Sequence, residues 1–456
     1  MKLAPLSWLV RVGTLSLCLM SAACIIITGE GEGEGEGPLP DPEEEPVVEG
    51  REPEVADPGS PCQVGDRGVV LAYEKVAEYA TAVETQAQLD AFLGLYTDLG
   101  YVSHPVEAEV QYGVDSYRVS YCTVDAALPD PGTGERTRRK LAVATGMLSV
   151  PRRSEASAVV LYHHGTSVSY DDAPSNPSIE VSFDGPPSST IFAGSGFIYV
   201  APDYLGLGSS PLTPHRYFHA GSEADSATDL LKAAQEVLGD LEVARTEDLF
   251  LFGFSQGGHA ALATQRRLEE ELGVTVTATA TSGGVFDVER FFLSCLANEE
   301  VATLALYASY VLVAYDTVYG VYGSTAEVFA PAYAGIVEGL FDMEHTFDEV
   351  VAALAPSARE TLAPGFYAAV SGDAEHPVRV RMRENGVDEG WVPGAPVRNY
   401  HSPEDEEVAY GDAEASVAAL NEGGGAVTIE TLDGLDHINT WLQAMPRAVG
   451  WFRGLE

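Results

Sequence analysis

Six short apolar runs set the terms of the fold. They lie at 158–162, 196–201, 249–254, 274–281, 396–400 and 426–432. Most are separated by segments long enough for a helix. Apolar strands alternating with helices point to an α/β chain, with a mainly parallel sheet covered on both faces. Two earlier runs, 117–124 and 141–150, flank a Pro/Gly turn and the basic cluster Arg136 to Lys140. They read as a hairpin with a solvated tip, and bring the expected sheet to eight strands. Residues 66–100 read as helical, because 69–79 and 87–99 repeat apolar residues at helical spacing.

The run 249–254 ends in Gly253-Phe254-Ser255-Gln256-Gly257. An apolar strand followed by a glycine-rich turn and a helix-forming segment is a nucleophile elbow. The turn strains its central residue and lifts the hydroxyl above the sheet. The pentapeptide is weak evidence by itself; the strand-turn-helix context and the partners elsewhere strengthen it.

A serine in this position needs a base and an acid to orient the base. With such an elbow they follow in chain order, acid and then histidine. His437 comes shortly after the last apolar run, in Asp433-Gly434-Leu435-Asp436-His437, and is the expected base. His259 belongs to the helix leaving the elbow, and His345 and His376 fall far from any strand end. The acid is expected after 396–400, in a loop containing Glu404, Asp405, Glu406 and Glu407. We take Asp405, and read its neighbours as solvated charges. Two backbone donors are expected to form an oxyanion hole. One is the amide of Gln256; the other is that of Gly165 or Thr166, after the run ending in Tyr162-His163-His164.

The pattern of strands breaks over 285–392. That stretch holds an almost wholly apolar run at 301–314, then Tyr315, Tyr319, Tyr322, Phe329 and Tyr333. Two readings stand: a buried helical layer of the core, or a helical cap inserted after the sixth strand over the mouth of the site.

Composition narrows the setting. The apolar fraction of 45% supports a large core. A net charge of -44 argues against nucleic acid, which needs a basic surface. It suits a soluble, aggregation-resistant surface. Lys2 and Arg11 precede a short apolar stretch and Ser21-Ala22-Ala23-Cys24. This resembles a bacterial lipoprotein signal over 1–24, in which Cys24 is acylated and becomes the mature N-terminus. Residues 25–60 alternate Gly and Glu, then become Pro/Glu-rich, with twelve acidic residues and one arginine. Such a segment cannot bury a core and is expected to be a tether. Export to an outer membrane or cell surface follows. Cys62, Cys122 and Cys295 are left, an odd number whose pairing the sequence does not choose. No Cys/His spacing resembles a structural zinc site, and neither metal nor cofactor is expected.

The chain resembles secretory lipases and related esterases of the α/β-hydrolase superfamily over roughly residues 110–450. The resemblance rests on Tyr162-His163-His164-Gly165-Thr166 and Ala201-Pro202-Asp203-Tyr204-Leu205-Gly206-Leu207-Gly208. It rests also on Gly253 to His259, on the Asp-x-x-Val spacing from Asp405 to Val408, and on Asp436-His437. Ser402 stands where the family usually has glycine, and Ala409 where it usually has proline. The resemblance implies an α/β-hydrolase fold with a core over 61–284 and 393–456 and a cap over 285–392. It places Asp203 and Tyr204 at the pocket wall or in a structural role. It implies hydrolysis of small-molecule or lipid carboxylic esters through Ser255, Asp405 and His437. A serine peptidase or a polyester depolymerase of the same fold is the alternative within the enzyme class. A non-catalytic adhesion protein on a hydrolase scaffold is the alternative outside it.

Overall fold

A computed structural model describes residues 54–56, 60–128 and 139–456. The apolar runs pair side by side. The strands are β1 (Glu54–Val55), β2 (Val70–Tyr79), β3 (Val114–Val124), β4 (Arg139–Pro151) and β5 (Ser157–His163), then β6 (Ile198–Pro202), β7 (Arg245–Phe254), β8 (Ala278–Ser282), β9 (Val397–His401) and β10 (Val427–Thr431). They form one sheet in the order β10-β9-β8-β7-β5-β6-β4-β3-β2, with β1 alongside β4. From β6 through β5 to β10 every pairing is parallel. Strands β4, β3 and β2 join antiparallel at one edge. The sheet is therefore mixed, and longer than the eight mainly parallel strands expected.

The extra strand comes from the segment read as helical. Residues 70–79 pair antiparallel with β3. Most of their side chains are exposed or half-buried, so burial imprints no clean period on the sequence. The ladder to β3, distant in the chain, decides the conformation. The second half of that reading stands: Ala82–Asp98 is a helix, started by a Thr81/Glu84 capping box, that buries Leu89, Phe92 and Tyr96.

Three other expectations change. Arg139 is not at a solvated hairpin tip. It lies in β4 and pairs with the buried Asp225, as do Arg67 and Arg267. Residues 54–55, expected in the tether, pair with Arg139 and Lys140. The cysteine pairing left open is Cys62–Cys122, and Cys295 is a buried free thiol. The signal region with Cys24, most of 25–60 and the tip at 129–138 lie outside the described residues.

Helices cover both faces of the sheet. Ala82–Asp98, Gly185–Gly194 and His437–Arg453 share one core with one face. Ala220–Asp240 packs on the other. Between Ser282 and Val397 the chain forms a run of helices from Val288 to Glu384. The helix Thr303–Tyr319 is buried nearly all round and shares a core with Leu207, Tyr217 and Phe218.

Strand order positions the site. Strand β5 lies between β6 and β7, so consecutive connections leave it in opposite directions. Such a reversal opens a crevice at the carboxyl ends of the strands. Register then sets which loops meet there. His163 is opposite Gly253, Phe254 opposite Ser282, Ser282 opposite Tyr400, and His401 opposite Thr431. The loops holding Thr166, Ser255, Asp405 and His437 thus leave one edge of the sheet together.

Candidate active site

Ser255 occupies the turn between β7 and the helix Gln256–Arg266, with φ 54° and ψ -117°. A positive φ at a non-glycine residue costs on the order of 1–3 kcal/mol, which the surrounding packing must sustain. The packing here leaves no alternative. A Cβ on Gly253 would sit 2.0 Å from the Gly257 carbonyl oxygen, and one on Gly257 would sit 2.0 Å from that of His163. The Ser255 N–H donates to the Ser282 carbonyl at 2.9 Å. Ser255 is 8% exposed and lines a cavity of about 660 Å³.

His437 opens the last helix and lines the same cavity. Asp405 Oδ2 accepts from its Nδ1 at 2.7 Å. Asp405 is itself fixed: its Oδ1 accepts the N–H groups of Glu407 and Val408 at 3.0 and 2.9 Å. The Phe254 ring lies 4.9 Å from the imidazole. Nε2 is buried and has no hydrogen-bond partner. Burial pushes the imidazole pKa down, but the charge and hydrogen bond of Asp405, with Glu407 and Glu406, outweigh it and raise it to about 9. Burial pushes the Asp405 carboxyl up, and His437 brings it below its ordinary value.

A base must be neutral to accept a proton. The acid limb of kcat/KM should therefore lie above the ordinary imidazole value of about 6.5. Asp405→Asn should move that limb down, since it removes the charge that favours imidazolium. A pH-rate profile checks both; a limb at or below about 6.5 in the wild type would contradict the first.

The oxyanion expectations divide. Gln256 is the first residue of its helix, where backbone N–H groups lack intrahelical partners. The Gly165 N–H donates to Asp184 Oδ2 at 2.5 Å, so it is not free to serve. The Thr166 N–H has no acceptor among the described residues, and Thr166 lines the cavity. Of the two roles expected for Asp203 and Tyr204, the pocket wall is corrected, since neither lines the cavity, and the structural role is the one seen. Asp203 is buried and accepts from Ser175 and Thr145. Tyr204 stacks between His164 and His215, with ring centroids 4.3 and 5.6 Å away. Both hold the loop from behind. Burial brings His164 down to about 4 and His215 to about 3, leaving them neutral and structural. His259 is also structural; it bonds Glu223 and the Asn385 carbonyl.

The sequence reading missed Glu407. Rather than a solvated neighbour of Asp405, it lines the cavity with its side chain 16% exposed. It accepts the Tyr307 hydroxyl at 2.6 Å. Nothing distinguishes it in an acidic run, because the partner that draws it inward lies 100 residues away. Asp172 and Asp184 were missed as well; both line the cavity. Among the described residues no cluster of His, Cys, Asp or Glu is arranged to hold a metal ion.

The chain has the α/β-hydrolase fold and is similar to lipases and esterases of that superfamily, as its motifs imply. The crystal structure of the rice cell wall degrading esterase LipA from Xanthomonas oryzae aligns with a TM-score of 0.70 at 25% identity, covering 85% of this chain and 98% of that one. A Legionella pneumophila protein described as a hydrolase aligns at 0.73 and 24%, with the same coverage. Candida antarctica lipase A aligns at 0.56 and 14%, covering 81% of this chain and 78% of that one. No family model matches the sequence, and no curated protein matches it.

Proposed function

We propose that the protein is a serine ester hydrolase that works through a covalent acyl-enzyme. The observation that carries this is the Asp405–His437 pair, whose Nε2 has no hydrogen-bond partner among the described residues, on a cavity also lined by Ser255. His437 Nε2 takes the Ser255 proton as Oγ bonds to the ester carbonyl carbon. The amides of Gln256 and Thr166 stabilise the resulting oxyanion. Asp405 holds the tautomer and stabilises the imidazolium. The C–O bond to the alcohol breaks, and the alcohol leaves with the proton from Nε2. Water then gives its proton to His437, attacks the acyl carbon and releases the acid, regenerating Ser255. The similarity to esterases and lipases supports ester over other acyl substrates. A fluorophosphonate should label Ser255, and p-nitrophenyl esters should be turned over faster than aminoacyl anilides. The reverse preference would favour the peptidase reading, and no labelling would favour the adhesion reading.

The helices from Val288 to Glu384 serve in this reading as a cap that selects the acyl chain. Phe347 and Val351 line the cavity with apolar surface. Tyr310, within the apolar run 301–314, is buried against Tyr217 and Phe341 and belongs to the core. Phe347→Ala should change the ratio of long-chain to acetyl ester turnover more than it changes acetyl turnover. Equal changes would make the segment a core layer only.

The lipoprotein-like signal supports anchoring through acylated Cys24, with the following acidic segment as a tether. Cys24→Ala should move the protein from the membrane fraction to the soluble fraction. An unmodified Cys24 in the mature protein by mass spectrometry would overturn the anchoring.

A further inference from the structure

Glu407 is a cavity residue beside the imidazole to which the proposed reaction gives no task. Its Oε2 stands 3.8 Å from His437 Nε2. Tyr307 is the hydrogen-bond donor to its carboxylate among the described residues. Asp405 and Glu407, two residues apart, thus face one imidazole from its two nitrogens. In the proposed reaction Nε2 hands its proton to the departing alcohol oxygen. A carboxylate this close to Nε2 therefore lies beside the alcohol half of the ester.

Charge decides what that half should carry. Asp172, Glu180, Asp184 and Asp348 also line the cavity, and among the described residues no lysine or arginine does. Asp184 is satisfied by the Gly165 N–H and the Tyr162 hydroxyl, and Asp172 by the Phe183 N–H. His437 is a neighbour of opposite charge to Asp184. Burial raises Asp172 to about 7 and Asp184 to about 6, and it pushes Glu407 upward too. Burial thus disfavours the charged forms of these carboxyls, and a cation beside them would favour those forms. His437 lines the same space, 2% exposed, and its buried Nε2 has no hydrogen-bond partner among the described residues. A hydroxyl on the alcohol would donate one hydrogen bond and bring no charge. An ammonium would draw these carboxyls into their charged forms, and Tyr101 and Phe183 offer ring surface to a cation in the same cavity.

We propose that Glu407, held by Tyr307, is a specificity-determining residue for the alcohol half of the substrate, and that the preferred substrates are esters of ammonium-bearing alcohols. This rests on the ester-hydrolase reading and deepens it.

The test compares butyrylcholine with 3,3-dimethylbutyl butyrate, which has the same shape with carbon in place of the charged nitrogen. p-Nitrophenyl butyrate reports whether the acyl chemistry works. The wild type is expected to favour the cationic ester in kcat/KM by about tenfold or more, the scale of a partly desolvated cation contact. Glu407→Gln should bring the ratio to within about twofold of one, whatever happens to each rate separately. Tetramethylammonium should compete with p-nitrophenyl butyrate in the wild type, a readout that needs no variant to fold. A wild-type ratio at or below one, a ratio unchanged in Glu407→Gln, or no competition by tetramethylammonium would each overturn the inference while p-nitrophenyl butyrate is still hydrolysed. Loss of all ester hydrolysis in the wild type, with Ser255 unlabelled, would instead remove the ester-hydrolase reading and this inference with it.

Discussion

Ser255→Ala is expected to lower ester turnover by about a million-fold while the protein stays folded, the scale seen when a triad nucleophile is removed. The argument is geometric. Ser255 is at the tip of an elbow whose neighbours, Gly253 and Gly257, leave no room for a side chain. Alanine keeps the Cβ and the backbone strain at φ 54°, so the turn and its N–H bond to Ser282 should persist. Only the hydroxyl is lost. Circular dichroism and the unfolding midpoint should match the wild type, and fluorophosphonate labelling should vanish. Ser167 and Ser169 also line the cavity. Retention of even a tenth of wild-type turnover would assign the attack to one of them.

Asp405→Asn is expected to cost at least about a thousand-fold in turnover; a wrong histidine tautomer costs about ten-thousand-fold in a well-studied protease. Asparagine can still accept the Glu407 and Val408 N–H groups through its Oδ1. Its Nδ2 would then face His437 Nδ1 and donate to it. The ring proton would sit on Nε2, which could no longer accept from Ser255. The other carboxylates of the loop separate by position. Glu404 and Glu406 are exposed; they accept the Gly434 and His437 N–H groups. Their amide variants should each cost less than about tenfold, as for solvated charges. Glu407, lining the cavity, is removed from that group. Near-wild-type activity of Asp405→Asn would remove Asp405 as the orienting acid.

What the chain determines locally was legible in it. The strand-turn-helix around Ser255 needs small residues at fixed offsets, and such a requirement is written within five positions. The parallel strands were legible because both their faces are buried, which forces continuous apolar runs. His437 and Asp405 were placed by chain order after such runs. Tertiary contact decided the rest. Strand β2 carries little burial signal of its own and takes its conformation from β3. Gly165 lost its part in the oxyanion hole to Asp184, a residue 19 positions away. Asp203 and Tyr204 proved to be supports behind the loop. Glu407 became a cavity residue because Tyr307, on a helix of the insertion, reaches it. Sequence alone thus marked out the proposed nucleophile and base and most of the sheet beneath them, because backbone sterics and the burial of continuous runs act over a few residues. Which carboxylates and amides face the cavity was decided only in the folded chain, because a polar group's role depends on the partner that meets it there.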